Sequence, residues 1–340
     1  MAPDRPDTRP LIPVLLGPTG AGKTALLESL LASPTGSVAD IPPVEIVSCD
    51  SRQIYRELEI GSAAPEPKLL ARLPHYLVGV LQPTETYSAA RFRGDALAAI
   101  ADILARGRLP LIAGGSGFYF RALQTGLFAL DVSAGRQAGI RRQVQELGAG
   151  ERLRRLRELD PAAVLSDPAE QARAGRVHPN DDYRVTRALE IVLASGRAYS
   201  EIWAESRRRS EQGGANAANP YRFTGWRLEV DRESYWRGLA GRARAMVASG
   251  IIEEAGRVFE RYGVCPGLET LGYSDALAAW RGELGRDELA ERLYISHRQY
   301  GKRQRTWLRR EDSLTPESRD GLARDFPGAL AARLRNPDGD

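Results

Sequence analysis

The sequence predicts an α/β fold in which a parallel sheet is flanked by helices and an all-helical subdomain is inserted. Short apolar runs alternate with helical patterns between residues 11 and 113, as in a parallel sheet. A G-x-x-x-x-G-K-[ST] motif follows the first of these runs, at residues 17–24. Strand patterns disappear at 131–210 and then return. We therefore expect a P-loop NTPase-like core at 1–130 and 211–340, with 131–210 as the insertion.

The motif lies between an apolar strand at 11–16 and a helical pattern at 25–31. Its glycines let successive backbone N–H groups turn inward, the helix start adds positive potential, and Lys23 supplies a point charge. Such a loop binds a diphosphate or a polyphosphate. The candidate ligands are all eight motif residues, Gly17, Pro18, Thr19, Gly20, Ala21, Gly22, Lys23 and Thr24.

Asp50 follows the next predicted strand, at 44–48, together with Ser51, Arg52 and Gln53. Ligands of open α/β sheets bind at this carboxyl edge. A lone carboxylate there is either a general base or hydrogen-bond acceptor, or else a helix N-cap or a Mg²⁺ ligand. Its position alone does not separate these roles.

Further strands are predicted at 76–80 and 109–113, with a helix at 88–106 between them. The second of these strands ends in Gly114-Gly115-Ser116. Common P-loop NTPases instead place there an aspartate that holds Mg²⁺ and water. The glycines weaken the interpretation of this chain as an ATPase.

After a strand at 223–230, helices are predicted at 232–249, 251–262, 268–281 and 286–310. Arg232 and Arg242, with Arg237 and Arg244, have roughly helical spacing and either clamp a diphosphate or form surface salt bridges. In the last helix Leu293, Tyr300 and Trp307 recur every seven residues and are predicted to be core. Seven basic residues and no acidic one lie between positions 292 and 310, a pattern that favours contact with a nucleic-acid backbone.

Composition narrows the class of protein. The chain has 340 residues, 42% of them hydrophobic, a net charge of +4 and two cysteines, which excludes a disulfide framework. We expect no membrane span and no signal peptide, and hence a cytoplasmic protein. Any metal is expected to be Mg²⁺ bound through the phosphate.

Several separated motifs, taken in order, resemble the tRNA dimethylallyltransferases over nearly the whole chain. Besides the P-loop they are Ser48-Cys49-Asp50-Ser51-Arg52-Gln53-Ile54-Tyr55, Gly61-Ser62-Ala63-Ala64-Pro65, Pro74-His75-Tyr76-Leu77, Tyr87-Ser88-Ala89-Ala90-Arg91-Phe92, Gly114-Gly115-Ser116-Gly117-Phe118-Tyr119, His178-Pro179-Asn180-Asp181, Arg187-Ala188-Leu189-Glu190, Gly272-Tyr273 and residues 298–307. The resemblance implies transfer of a dimethylallyl group from its diphosphate to N6 of the adenosine 3′ of the anticodon. That adenosine is position 37 in tRNAs reading codons that begin with U.

The resemblance also implies roles for residues. The implied catalytic residues are Asp50, which accepts the N6 proton, and Lys23, Thr24, Ser116 and Arg232, which stabilise the leaving diphosphate. Arg232 and Arg242 join the P-loop in binding that diphosphate, and Thr24 holds Mg²⁺ through it. The implied tRNA-binding residues are Asp50, Ser51, Arg52, Gln53, Tyr183, Arg184, Arg187, Gly272, Tyr273, Arg298, Lys302, Arg303 and Arg305. We expect a monomer that grips the anticodon stem-loop with the insertion and the basic helix.

Three positions depart from the family's usual pattern. Ser116 replaces threonine and keeps the hydroxyl, whereas Ala64 replaces lysine and removes a basic contact. Gly301 replaces alanine, which costs up to about 1 kcal/mol of helix propensity and is expected to alter no chemistry. Three other functions stay open: a prenyltransferase acting on free adenine nucleotides, a small-molecule kinase with a P-loop, and a non-catalytic RNA-binding protein.

Overall fold

Six strands form one sheet in the computed structural model, which describes residues 7–31, 41–126, 133–164, 176–211 and 219–336. In chain order they are β1 (Leu11–Leu16), β2 (Val44–Cys49), β3 (His75–Tyr76), β4 (Leu109–Gly114), β5 (Arg222–Glu229) and β6 (Thr315–Ser318). They lie in the order β3-β2-β4-β1-β5-β6, and every neighbouring pair is parallel. The predicted fold class is confirmed. The carboxyl ends of β1, β2 and β4 meet at one edge of the sheet, where α/β proteins bind ligands.

Fifteen α-helices are found in the described residues. They are α1 (Lys23–Ser29), α2 (Glu59–Ser62), α3 (Pro67–Arg72), α4 (Ala89–Ala105), α5 (Gly117–Thr125), α6 (Ala134–Gln145), α7 (Ala149–Leu159), α8 (Asp182–Ser195), α9 (Tyr199–Glu211), α10 (Arg232–Ala248), α11 (Ile251–Tyr262), α12 (Tyr273–Trp280), α13 (Arg286–Leu308), α14 (Arg319–Ala323) and α15 (Phe326–Arg335). Short 3-10 helices occur at Pro161–Ala163 and Pro266–Glu269. Each of the described helices is too short or too polar to cross a bilayer.

Apolar side chains cover both faces of the sheet. Neighbouring residues of a strand point to opposite faces, so an apolar strand contributes to the core on each side. Ile12, Val14 and Leu16 of β1 belong to the apolar cluster that also includes side chains of α4, α11 and α13. Leu15 belongs to the cluster on the other face, with side chains of α1 and with Phe326 of α15. Burial of each such large side chain stabilises the fold by about 1.5–3 kcal/mol. This packing fixes the strand ends that carry the site.

The chain divides into two compact units. One contains residues 1–124 and 220–340 and holds the sheet, whereas the other spans Thr125–Asn219. The sequence-based bounds were 131 and 210, several residues inside the structural ones. The described part of the second unit is helical, apart from one isolated bridge between Val164 and Val177, and has its own small apolar core.

The structure corrects two predicted elements and adds an unpredicted segment. The strand expected at 76–80 is only β3, because Leu77 and Gly79 have φ of +64° and +58° and turn the chain out of the sheet. The helix expected at 268–281 is divided before α12, where Gly272 has a φ of +93°. The segment from β6 to α15 was not predicted to be structured. There β6 extends the sheet beside β5, and Phe326 completes one face of the core.

Candidate active site

Backbone geometry curls the P-loop, residues 17–24, between β1 and α1. The Gly17 N–H donates to the Gly114 carbonyl at 3.0 Å, which ties the loop to the end of β4. Gly20 and Gly22 have φ of +76° and +84°, a left-handed conformation that glycine adopts without strain. The loop therefore has the curved backbone of an anion-binding site.

A cavity of about 310 Å³ lies beside the P-loop at the ligand-binding edge of the sheet. Its volume is near the lower end of the range for small-molecule sites. Its wall includes the P-loop residues Thr19, Gly20, Gly22, Lys23 and Thr24, the strand-end residues Asp50, Gln53 and Gly114, and Gly238 and Arg242 of α10. The phosphate-binding loop, a carboxylate and two cationic side chains thus line the same cavity.

Lys23 is held toward the start of its own loop. Its Nζ donates to the carbonyls of Gly17 and Pro18, at 2.8 and 3.0 Å. Burial lowers the pKa of Lys23 to about 8, Asp50 opposes this lowering, and Arg242 contributes to it. An entering phosphate would favour the charged form of the lysine, because an opposite charge nearby raises the pKa of an amine.

The buried Arg52 and the half-buried Arg242 make this region strongly cationic. Burial and, to a smaller extent, the neighbouring charge of Arg52 together lower the pKa of Arg242 to about 10, whereas Asp50 opposes the shift. Among the described residues, Nε of Arg242 and both Nε and one terminal nitrogen of Arg52 are buried without a hydrogen-bond partner. Arg242 lines the cavity, so an anionic ligand bound there would supply its guanidinium with a partner.

Asp50 lies directly after β2, half-buried in the cavity wall. Its Oδ1 accepts the Arg52 N–H at 2.9 Å and closes a turn. No helix begins here, since the next one in the chain, α2, starts at Glu59. The alternative of a helix N-cap is therefore excluded. A carboxylate accepts up to about four hydrogen bonds, so Asp50 keeps capacity for a ligand.

Ser116 and Thr24 occupy different places. Thr24 begins the exposed side of α1 and lines the cavity. Ser116 is half-buried between β4 and α5, and its N–H donates to the Cys49 carbonyl at 3.0 Å, joining the ends of β2 and β4. It lies just beyond Gly114 and is not among the cavity-lining residues. Its predicted contact with the leaving group stays a prediction.

Arg232 and Arg242 are separated by the rise of α10. Ten residues of helix span about 15 Å, and the exposed Arg232 stacks over Trp236, with its guanidinium carbon 4.4 Å from the ring centroid. Arg242 lines the cavity, whereas Arg232 does not. The two arginines therefore do not line the same cavity, and the diphosphate contact predicted for Arg232 stays a prediction.

The basic helix α13 buries one face and exposes the other. Its buried residues are Leu289, Leu293, His297, Gly301, Gln304 and Leu308. Tyr300 and Trp307, predicted as core with Leu293, are only partly buried beside that face. Arg298, Lys302 and Arg303 are exposed and Arg305 is half-buried. Two arginines stack on aromatic rings here. The guanidinium carbon of Arg298 lies 5.4 Å from the ring centroid of Trp236, and that of Arg303 lies 5.8 Å from the ring centroid of Tyr300.

Three of the predicted tRNA-binding residues have structural roles instead. Arg52 is only 6% exposed and stacks on Tyr300, with its guanidinium carbon 4.4 Å from the ring centroid. Tyr273 is 1% exposed and donates to Glu254 Oε1 at 2.6 Å, and Gly272 supplies the left-handed turn before it. These residues do not form a surface for RNA, because their neighbours cover them.

The remaining predicted contacts are more accessible. Ser51 is half-buried, and Gln53 lines the cavity while its Nε2 donates to the Ala63 carbonyl at 3.0 Å. In the second unit Tyr183 is 81% exposed. Its neighbours Arg184 and Arg187 are exposed and make local ion pairs, with Asp181 at 3.3 Å and Glu190 at 2.6 Å.

Two residues that hold the P-loop, Gln304 and Tyr235, were not predicted from the sequence. Gln304 Oε1 accepts the Thr19 N–H at 2.8 Å, and the Tyr235 hydroxyl donates to the Thr19 carbonyl at 2.9 Å. The buried row of α13 that contains Gln304 carries a weak signal, since a polar residue in a buried row needs a partner. Nothing in the sequence identifies Thr19 as that partner.

A phosphate-binding loop after a central parallel strand, beside a carboxylate and two half-buried cations, defines a P-loop protein with a site for a phosphorylated ligand. Comparison with known proteins narrows this class. The family model described as IPP transferase matches residues 53–311. A tRNA dimethylallyltransferase of Chromobacterium violaceum is 39% identical over 318 residues, which cover 91% of this chain and 90% of that protein.

A tRNA dimethylallyltransferase of Alkalilimnicola ehrlichii is likewise 39% identical, over 94% of this chain and 95% of its own length. Among solved structures, the full-length tRNA isopentenylpyrophosphate transferase of Bacillus halodurans is 26% identical and has a TM-score of 0.63, with 96% of this chain and 97% of that chain covered. The chain belongs to the IPP transferase family.

Proposed function

We propose that this chain transfers a dimethylallyl group from dimethylallyl diphosphate to N6 of adenosine 37 in tRNA and releases diphosphate. Its tRNAs are those that read codons beginning with U. Membership of the IPP transferase family supports the reaction class. The observation that carries the proposal is one cavity in which Lys23 and Arg242 lie near Asp50.

Each side of this cavity has a task in the proposed reaction. The N6 nitrogen attacks C1 of the dimethylallyl group while the bond between C1 and the diphosphate oxygen breaks. Asp50 accepts the N6 proton, which the nitrogen loses as the new bond forms. Lys23, Arg242 and the P-loop amides stabilise the negative charge that grows on the departing diphosphate. The target base leaves the anticodon stack to reach this cavity, as enzymes acting on bases require.

The donor set fits Mg²⁺ bound mainly through substrate. In the described residues no group of three or more His, Cys, Asp or Glu side chains is placed to hold a metal ion. Mg²⁺ is commonly held by one or two protein oxygens together with substrate phosphates and water. Thr24 is the proposed protein ligand, at the cavity wall. When bound, the ion would neutralise part of the diphosphate charge.

The exposed basic side of α13 is the proposed RNA contact of the first unit. Arg298, Lys302 and Arg303 offer charge to phosphates, beside the half-buried rings of Trp236 and Tyr300. The second unit, with Tyr183, Arg184 and Arg187, is proposed to hold the anticodon stem-loop as well. A monomeric state and a cytoplasmic location also stay predictions, which sedimentation and cell fractionation test.

One assay tests the proposal against its rivals. Purified protein is incubated with labelled dimethylallyl diphosphate and either an anticodon stem-loop or AMP, while phosphate release from ATP is followed in parallel. We expect label only in the stem-loop, at A37. Stem-loops with G37, or with A36 replaced by C, are the matched controls, because a codon beginning with U pairs with A36.

The other outcomes each contradict the proposal. Label in AMP would identify a transferase for free nucleotides. ATP hydrolysis that tRNA stimulates, without prenyl transfer, would restore the usual NTPase role of the P-loop. Tight stem-loop binding with neither reaction would identify a non-catalytic RNA-binding protein.

A further inference from the structure

Both polar groups of the Thr19 backbone are bonded to side chains from the distant end of the chain. Its N–H donates to Gln304 Oε1 at 2.8 Å across a separation of 285 residues. Its carbonyl accepts the Tyr235 hydroxyl at 2.9 Å across 216 residues. Thr19, Tyr235 and Gln304 are each at most 6% exposed, so water does not replace these bonds easily.

Gln304 continues this arrangement to a second loop. Its Nε2 donates to the Gly115 carbonyl at 2.7 Å, directly after β4. A side-chain amide has one acceptor and one donor group, and the two backbone partners fix which is which. One residue of α13 therefore binds the P-loop and the end of β4 together, while Tyr235 of α10 binds the P-loop from the neighbouring helix.

Two glycines make room for these side chains. A Cβ atom at position 301 would lie 2.1 Å from the Tyr235 hydroxyl oxygen, and one at position 115 would lie 2.4 Å from Gln304 Nε2. Both distances are far below a van der Waals contact. Gly301 therefore does more than lower helix propensity, because the hydroxyl that binds Thr19 occupies the place of its missing side chain.

The two bonds orient the loop amides. The Thr19 carbonyl and the Gly20 N–H belong to one planar trans peptide and point in opposite directions. Fixing the carbonyl on Tyr235 thus fixes the direction of the Gly20 N–H. Thr19 and Gly20 both line the cavity. The Thr19 N–H itself is occupied by Gln304 in this arrangement.

We infer that Tyr235 and Gln304 are positioning residues that hold the P-loop amides in place for the diphosphate. The inference rests on the proposed function only for the identity of the ligand. Because the amides are already oriented, the loop does not have to be ordered when the ligand binds. Removal of either side chain leaves a buried backbone group of Thr19 without its partner, and such groups are costly.

The test measures inorganic pyrophosphate binding by calorimetry, with Mg²⁺ present. Tyr235→Phe removes only the hydroxyl and is expected to weaken pyrophosphate binding about fivefold or more, with an equal rise in KM for dimethylallyl diphosphate. The KM for tRNA is expected to change less than about twofold. Tyr262→Phe is the control, since Tyr262 lies on another helix, α11, and its hydroxyl donates to Glu57 and not to the P-loop. Equal affinities in wild type and Tyr235→Phe would overturn the inference.

Gly301→Ala tests the same contact from the other side. We expect it to weaken pyrophosphate binding in the wild type but to cause little further loss in Tyr235→Phe, where the colliding oxygen is absent. Equal losses in both backgrounds would contradict the inference. Because pyrophosphate binding requires no turnover, an enzyme that binds it through Tyr235 yet transfers no prenyl group refutes the proposed function alone.

Discussion

Tyr273 and Glu254 form a buried hydrogen-bonded pair, in which the tyrosine hydroxyl donates to Glu254 Oε1 at 2.6 Å. The same carboxylate accepts the N–H groups of Ile60 and Gly61, at 2.9 and 3.1 Å. Burial raises the pKa of Glu254, and the three donors oppose this rise. The pair therefore joins α11, α12 and α2 in the interior of the first unit.

Tyr273→Phe is expected to lower stability and to leave RNA binding unchanged. Loss of a hydrogen bond to a buried charged group costs about 1.5–3 kcal/mol. Denaturant unfolding measures this loss, and filter binding measures the affinity for tRNA. A weaker affinity for tRNA at unchanged stability would show that Tyr273 contacts RNA after all.

Asp50→Asn separates the proposed role of Asp50 as a proton acceptor from its structural role in the turn to Arg52. Asparagine retains an oxygen for the Arg52 N–H but does not take up a proton at neutral pH, so prenyl transfer is expected to fall about 10²- to 10⁴-fold. Asp50→Ala should lose as much, with tRNA affinity within a few-fold of wild type. Single-turnover rates give the comparison. If Asn keeps more than about a tenth of the rate while Ala does not, Asp50 acts through its turn.

Arg242→Ala is expected to raise the dissociation constant for pyrophosphate about tenfold to a hundredfold, because a charge-assisted bond is worth about 1.5–3 kcal/mol. Arg244→Ala provides a matched control, since Arg244 is exposed two residues further along α10. Arg232→Ala in the same titration tests the contact predicted for that residue. Similar losses for Arg242 and Arg244 would mean that general charge, not the cavity wall, attracts the ligand.

The affinity for pyrophosphate should fall above about pH 8. Burial lowers the pKa of Lys23 to about 8, below its ordinary 10.5. In the ligand-free protein Lys23 therefore loses its positive charge as the pH rises through about 8. In that window the unfolded chain binds more protons, and the contribution of Lys23 to stability rises with pH. Binding restores the charge and takes up a proton. Lys23→Met should remove this component while the ligand's own titration remains; identical pH profiles would refute the assignment.

Replacement of Lys302, Arg303 and Arg305 by glutamine is expected to weaken tRNA binding and to flatten its dependence on salt. Each lost phosphate contact removes up to about one unit of slope in a plot of log affinity against log salt. Arg292→Gln is the control on the same helix, because Arg292 is paired with Glu288 at 2.8 Å and Asp275 at 3.5 Å. An unchanged slope in the triple variant would place the RNA elsewhere.

Local patterns were enough to predict the P-loop, Asp50 at a strand end and the long helices, because each is written in neighbouring residues. The final strand was not predictable in this way. Thr315-Pro316-Glu317-Ser318 has no large apolar residue and contains a proline, and it becomes β6 only because the edge of β5 is available for pairing. The short β3 also depends on context, since the left-handed Leu77 ends a run that looks like a longer strand.

Contacts between residues far apart in the chain were the second feature that the sequence could not predict. The arginines of α10 looked equivalent in sequence, and only the position of the helix beside the P-loop distinguishes Arg242 from Arg232. A Gly-Tyr pair gives no sign that the tyrosine is buried against Glu254. The bonds from Tyr235 and Gln304 to Thr19 likewise require the folded chain.

The position of β1 in the sheet has a consequence for biosynthesis. This strand is translated before its neighbours β4 and β5, which end at residues 114 and 229, and before residue 304, whose side chain accepts the Thr19 N–H. All residues of the second unit, 125–219, are also translated before β5. The phosphate-binding loop thus reaches its final form only after residue 304 has been translated, about 280 residues after the loop itself.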